Sequence, residues 1–266
     1  VYGFRPSRGR VPNTLAPDAF SQQLATDGPM GRSVADLAML LATQAGYDAR
    51  APLSLGDDPS VFAQPLERDF SGARIGWLGD LGGYLPFEPG VLELCRSALK
   101  VFETLGCRVD EARVDFAPER MWRTWLAWRR FLVSGSLVAH YRDPGRRPLL
   151  KPAAVWEIEQ GLATSALDVH DASVDRTALY RAVLAAFEHF DFLVLPTAQV
   201  FPFDVTQRWP KSIAGREMDT YHRWMEVVIL PTLTGCPAPS VPAAFASEGE
   251  PAELPMGIQI VGRRRA

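Results

Sequence analysis

The run Ala73-Arg74-Ile75-Gly76-Trp77-Leu78, the spaced apolar residues Leu92, Cys95, Leu99 and Phe102, and the segment Cys107 through Val114 together decide the fold class. The first six residues read as a strand and the last segment alternates well enough for another. Between them the apolar residues recur at helical spacing. Pro89 suits a first helical turn, where its missing N–H leaves nothing unpaired, and Gly106 closes the periodic run. Strand, helix and strand in this order predict a crossover unit in a parallel or mixed sheet, and hence an α/β fold.

Upstream, the opening twelve residues read as a short extended segment and a basic turn, followed by a Pro/Asn/Gly-rich loop up to Gly28-Pro29. Ser33-Val34-Ala35-Asp36 has capping-box spacing and predicts a helix with Val34, Leu37, Leu40 and Leu41 as its apolar stripe and Gly46 as its stop. Residues 51–72 read as an irregular connection. Downstream, Pro118 to about His140 predicts a long helix carrying Trp122, Trp125 and Trp128, apolar on more than one face and therefore buried or lining a cavity. Further helices are predicted near 153–162, 174–190 and 218–230. Asp191 to Pro196 is the best candidate for a buried strand, and 240–245 and 256–261 add two more. No repeat, low-complexity tract or linker interrupts the chain, so one α/β domain over residues 1–266 is the expected organisation.

Composition sets the class. Apolar residues make up 47 % and charged residues 22 % of 266 positions, ordinary values for a globular protein. A net charge of −3 gives no electrostatic case for nucleic acid or an anionic membrane as a partner. Cys95, Cys107 and Cys236 lack metal-ligand or CxxC spacing and read as reduced thiols of a cytoplasmic protein. No apolar run is long enough to span a bilayer.

The chain offers no self-sufficient chemistry of its own. There are 14 serines, four histidines and only three lysines, with no Gly-x-Ser-x-Gly elbow. Ser97 and Lys100 have Ser-x-x-Lys spacing but lie off the buried stripe, which makes them a surface pair. Lys151 and Lys211 sit beside prolines in broken segments, where nothing desolvates them into neutral bases. Asp168, His170 and Asp171 lack zinc-like spacing and read as a capped, solvated loop. His140, His189 and His222 are isolated. Gly79, Gly82 and Gly83 hint at a phosphate loop but miss the required order, which leaves a turn. No catalytic residue, metal site or cofactor is expected.

Five blocks, in order, resemble the amidase signature family. They are Gly3-Phe4-Arg5-Pro6-Ser7-Arg8-Gly9-Arg10-Val11, Asp27 through Ala38, Asp191-Phe192-Leu193-Val194-Leu195-Pro196-Thr197, Gly235 through Ala243, and Leu254 through Gly262. The resemblance implies a mixed twisted sheet with helices on both faces, incomplete at its N-terminal side. It also implies carboxamide hydrolysis by a serine nucleophile, a second serine and a lysine. In the family those three groups lie before the first block, so none maps onto a residue here.

What remains by resemblance is substrate wall, for which Trp128, Trp209, Tyr221 and Trp224 are the candidates. Core packing is the competing reading of those aromatics. The implied partner is a small-molecule amide, and unpaired edges and uncovered apolar faces would favour self-association into a homodimer. The rival expectation is a catalytically silent remnant or scaffold that binds a partner. An enzyme component that amidates charged transfer RNA belongs to the same family, but the acidic balance lends it no support.

Overall fold

The computed structural model describes residues 1–15, 18–21, 24–245 and 254–265. Its early part holds β1 (Tyr2–Arg5), β2 (Met30–Gly31) and α1 (Val34–Gln44). The crossover unit follows as β3 (Arg74–Trp77), α2 (Val91–Ala98), α3 (Lys100–Thr104) and β4 (Arg108–Glu111). A helical stretch comprises α4 (Pro118–Arg142), α5 (Pro152–Leu162) and α6 (Ala166–His189). The chain then runs through β5 (Phe192–Pro196), β6 (Ser212–Ile213), β7 (Arg216–Glu217), α7 (Ile229–Thr234), β8 (Ala238–Phe245) and β9 (Pro255–Val261).

Seven strands form one mixed sheet in the order β2-β1-β8-β9-β5-β3-β4. β3 pairs in parallel with both β4 and β5, and every other neighbour is antiparallel. The connection from β3 to β4 moves outward through α2 and α3. The one from β4 to β5 returns past β3 through α4, α5 and α6. Two right-handed crossovers running in opposite directions place their helices on opposite faces of the sheet. This explains why β5 reads as a continuous apolar run: Leu193, Val194 and Leu195 are covered on both sides and fully buried.

The predicted elements are present, with informative differences. Ser33 caps α1 in a reciprocal box with Asp36, but only Leu37 and Leu41 of its stripe are buried, while Val34 and Leu40 are exposed. The helix predicted after Pro89 begins at Val91 and is interrupted at Leu99. Asp168, His170 and Asp171 lie on helix rather than loop, because Ser165 and Asp168 form a capping box that opens α6 there.

The helix expected over 218–230 is replaced by a 3-10 turn at Arg223–Val228 leading into the short α7. Pro231 is the reason. It has no N–H for the carbonyl of Val227, and in a regular helix its ring would collide with that group. The Val227 carbonyl instead accepts from the side chain of Gln259 at 3.1 Å.

The described residues contain no helix long and apolar enough to cross a membrane.

Gly76 in β3 tests the packing. A Cβ there would lie 2.7 Å from the Ala112 Cβ, 2.8 Å from Phe190 and 2.9 Å from Leu193. Gly76→Ala is expected to destabilise the chain by about 1–3 kcal/mol through overpacking. Gly3→Ala, with nothing within 4 Å, should stay within about 0.5 kcal/mol. Denaturant melts of the two variants measure the difference.

Candidate functional site

The carboxyl end of β5 is held by a set of buried polar contacts. Thr197 N–H donates to the Gly257 carbonyl at 3.0 Å. This approach is close enough to require glycine, since a Cβ on Gly257 would meet Thr197 Oγ1 at 2.8 Å. Two buried glutamines bind the surrounding segments. Gln259 Nε2 donates to the Pro196 carbonyl at 2.8 Å as well as to Val227, so it ties the end of β5 to the 3-10 turn. Gln199 donates from Nε2 to the Pro86 carbonyl at 3.0 Å and accepts from Val227 N–H at 3.2 Å. Glu88 accepts from Phe201 N–H at 2.8 Å, which fixes the start of the loop that follows.

Above this base runs a row of rings drawn from α4, the loop before β6 and the segment after β7. Trp209 meets Tyr221 edge-on with centroids 6.5 Å apart, and Tyr221 meets His222 at 5.0 Å. His222 contacts Trp125 at 5.2 Å, and Trp125 stacks on Trp122 at 5.3 Å. Arg223 lies over Trp122 at 4.3 Å. Trp224 packs against Phe203 at 5.3 Å, and both Trp209 and Trp224 cover a small cluster formed by Val200, Ile213 and Met218.

The fold therefore brings together three of the four aromatics singled out in the sequence: Trp209, Tyr221 and Trp224. Trp128 stands apart on α4 in the main core, against Phe131 and under the Arg176 guanidinium. The indole N–H groups of Trp128 and Trp224 are buried with no hydrogen-bond partner among the described residues.

Two buried carboxylates frame this row, and neither was visible in the sequence. Glu157 on α5 meets Nε2 of His222 and accepts from Arg129 Nε at 2.8 Å. Burial alone would raise its carboxyl, but hydrogen bonds from His222 and Arg129 outweigh burial and hold it below the usual carboxylate range. His222 is thus a buried partner of an acid, and its Nδ1 has no partner among the described residues.

Glu226 is fully buried. Burial pushes its carboxyl upward, and the contacts with Arg223 at 3.1 Å and with Tyr84 do not cancel that effect. The Tyr84 hydroxyl lies 2.6 Å from Glu119 and 2.9 Å from Glu226, with one proton for two acids. Sequence spacing gives no sign of this arrangement, because its members come from residues 84, 119, 223 and 226.

The groups weighed as nucleophiles are not assembled. Ser97 Oγ donates to its own helix at the Leu94 carbonyl, 2.8 Å, and Lys100 is exposed. Lys211 lies over the Trp209 ring at 3.4 Å, and Lys151 is the exposed residue that precedes α5. Burial pushes the Cys95 thiol up to about 12, and it raises Cys107 and Cys236 as well, so none offers a thiolate at neutral pH. The described residues contain no cluster of three or more potential metal ligands. Among the described residues the site holds a row of aromatic rings and no activated nucleophile.

The opposite shifts of the two acids predict opposite pH signatures. Glu157 is lowered in the folded state, so its stabilisation is complete above the ordinary carboxylate range and fades as pH falls through its lowered value. Glu157→Gln should cost about 1–3 kcal/mol at pH 7, a gap that closes in acid. Glu226 is raised, so its ionised form opposes folding at neutral pH. Glu226→Gln should be no less stable than the parent at pH 7, with any gain vanishing below the carboxylate range. Denaturant melts at pH 7 and at about pH 2.5, below the carboxylate range, distinguish these signs.

The amidase family model matches residues 1–266, the whole chain. An acylamidase of Rhodococcus erythropolis is 29 % identical over 270 residues, which cover 100 % of this chain and 54 % of that protein. One component of the glutamyl-tRNA(Gln) amidotransferase of Thermus thermophilus is 30 % identical, covering 98 % of this chain and 56 % of its own. Among solved structures, a bacterial aryl acylamidase of the amidase signature family superposes with a TM-score of 0.86 at 26 % identity. It covers 99 % of this chain and 55 % of its own. The chain spans about half the length of the curated relatives it matches. It belongs to the amidase family.

Proposed function

We propose that this chain is the substrate-wall portion of an amidase, an enzyme that hydrolyses a carboxamide to a carboxylate and ammonia or an amine. The observation that carries the reading is the match of the whole chain to the amidase family, set against a site that has shaped walls and no nucleophile–base pair. On this reading the serine nucleophile, the relay serine and the lysine come from polypeptide outside these 266 residues. Trp209, Tyr221 and Trp224 form the wall for the acyl side of the amide. Their apolar faces and edges suit an aryl or alkyl acyl group. Trp128 lies in the main core, apart from this wall, and has no part in it on this reading. The acylamidase and aryl acylamidase relatives make amides of apolar acids the substrate class to try first.

The absence of an assembled Ser–Lys pair among the described residues also favours a second reading, a catalytically silent scaffold that binds a partner. Appending the part of the Rhodococcus acylamidase that lies outside the match to this chain, and assaying an aryl acylamide, separates the two. The amidase reading expects no turnover by the 266-residue chain alone and turnover by the fusion. Trp224→Ala in that fusion should raise KM about tenfold, equivalent to about 1.4 kcal/mol. A folded but inactive fusion would favour the scaffold.

Both readings share one physical expectation. Val1, Leu15, Phe20, Met30 and Met39 are exposed in the early part of the chain, and apolar surface left to water favours association. Sedimentation of the chain alone should show self-association, the homodimer being its simplest form. A monodisperse monomer would overturn this expectation.

A further inference from the structure

The carboxyl ends of β3 and β4 form a crevice that the proposed amide site does not use. The chain leaves β3 toward α2 on one face and leaves β4 toward α4 on the other. Neighbouring parallel strands whose exits diverge in this way open a crevice at their carboxyl ends, where α/β sheets place ligands. Leu78, just past β3, and Ala112, just past β4, line cavities on both sides of this opening.

The cavity on the α4 side has a volume of ≈ 240 Å³, and Leu81, Phe116, Met121, Leu179 and Leu230 contribute to its wall. An apolar cavity of about 150 Å³ already admits benzene, so this one holds a phenyl ring or a short alkyl chain.

Polar groups at the opening set the charge of the ligand. Arg113 lines both cavities and is exposed, and no acid pairs with it among the described residues. The amino end of α4, whose Pro118 lines the apolar cavity, begins at Ala117 without a side-chain cap. Pro118 has no N–H and the Arg120 N–H is bonded to the Ala117 carbonyl at 3.0 Å, so the Glu119 N–H is what that turn leaves toward the opening. Of the acids nearby, Asp115, two residues beyond Arg113, is exposed and has no partner among the described residues, and three others are engaged. Glu111 is bound to Arg96 at 2.6 Å, Asp80 accepts from Gly83 N–H at 2.8 Å, and Glu119 accepts from Tyr84. Glu93, on the far side, disfavours a second anion there.

The wall turn is itself strained. Leu81 has φ 57° between Gly79 and Gly82, a left-handed conformation that non-glycine residues avoid and that accumulates at ligand sites. The Gly79/Gly82/Gly83 run noted in the sequence thus shapes a cavity wall.

We infer that this crevice binds a small apolar carboxylate, its body in the cavity lined by Leu81, Met121, Leu179 and Leu230 and its carboxylate at Arg113. The inference stands on cavity geometry and is independent of the amidase reading.

Methyl spectra of the full chain, titrated with hexanoate and benzoate, test it against the neutral hexanamide and the cationic hexylamine. Saturable shifts confined to the Leu78, Leu81, Met121, Leu179 and Leu230 methyls are expected, with hexanoate at least tenfold tighter than hexanamide or hexylamine. Arg113→Gln should abolish the preference over hexanamide while leaving hexanamide affinity unchanged. Val114→Phe, which fills the cavity from its partly exposed rim, should weaken every probe at least tenfold. Shifts that never saturate, shifts centred on residues 200–224, or a carboxylate preference that survives Arg113→Gln would overturn the inference.

Discussion

The amide of Gln259 joins two carbonyls that the backbone leaves unpaired. Pro231 denies the Val227 carbonyl a helical partner, and the Pro196 carbonyl sits where β5 stops. Both lie in the interior, where an unsatisfied acceptor costs about 1–3 kcal/mol. One planar NH₂ group serves both and so locks the end of β5 to the turn that carries His222, Arg223 and Glu226. Gln199 repeats the device from the other side by binding the same turn through Val227 N–H. The aromatic row and its buried acids have defined positions because these two side chains fix the backbone beneath them.

Above that base, the site separates two carboxylates by environment. Glu157 and Glu226 are both buried, yet one is held below and the other pushed above the usual range. The difference lies in what faces each acid. His222 and Arg129 converge on Glu157. Glu226 shares Arg223 with Asp219 and shares a single tyrosine proton with Glu119. Divergent environments for neighbouring acids are characteristic of functional sites.

The sheet also distributes roles along its carboxyl edge. β5 ends in the clamped turn and the aromatic wall, whereas β3 and β4 end in the crevice with Arg113 at its mouth. Parallel pairing aligns these ends on one edge of the sheet, so the wall and the crevice are separated by strand order rather than by orientation.

Much of the fold was legible in the sequence because it follows from local rules. The crossover unit, the buried β5, the Ser33 cap and the long tryptophan helix each follow from spacing within one segment. So did the family, through five short blocks in order. The polar site was not legible. Glu157 and His222 are 65 positions apart in the numbering, and neither has a local pattern that marks it as buried and paired.

The 218–230 helix failed for a related reason. Its apolar spacing was real, but Pro231 and the competing amide of Gln259 decided the backbone. The sequence by itself determined which segments form strands and helices and which family they build, because those depend on neighbours a few residues apart. Only the tertiary structure decided which acids are paired, which aromatics meet and where a cavity opens, because desolvation and hydrogen bonding act between residues far apart in the chain.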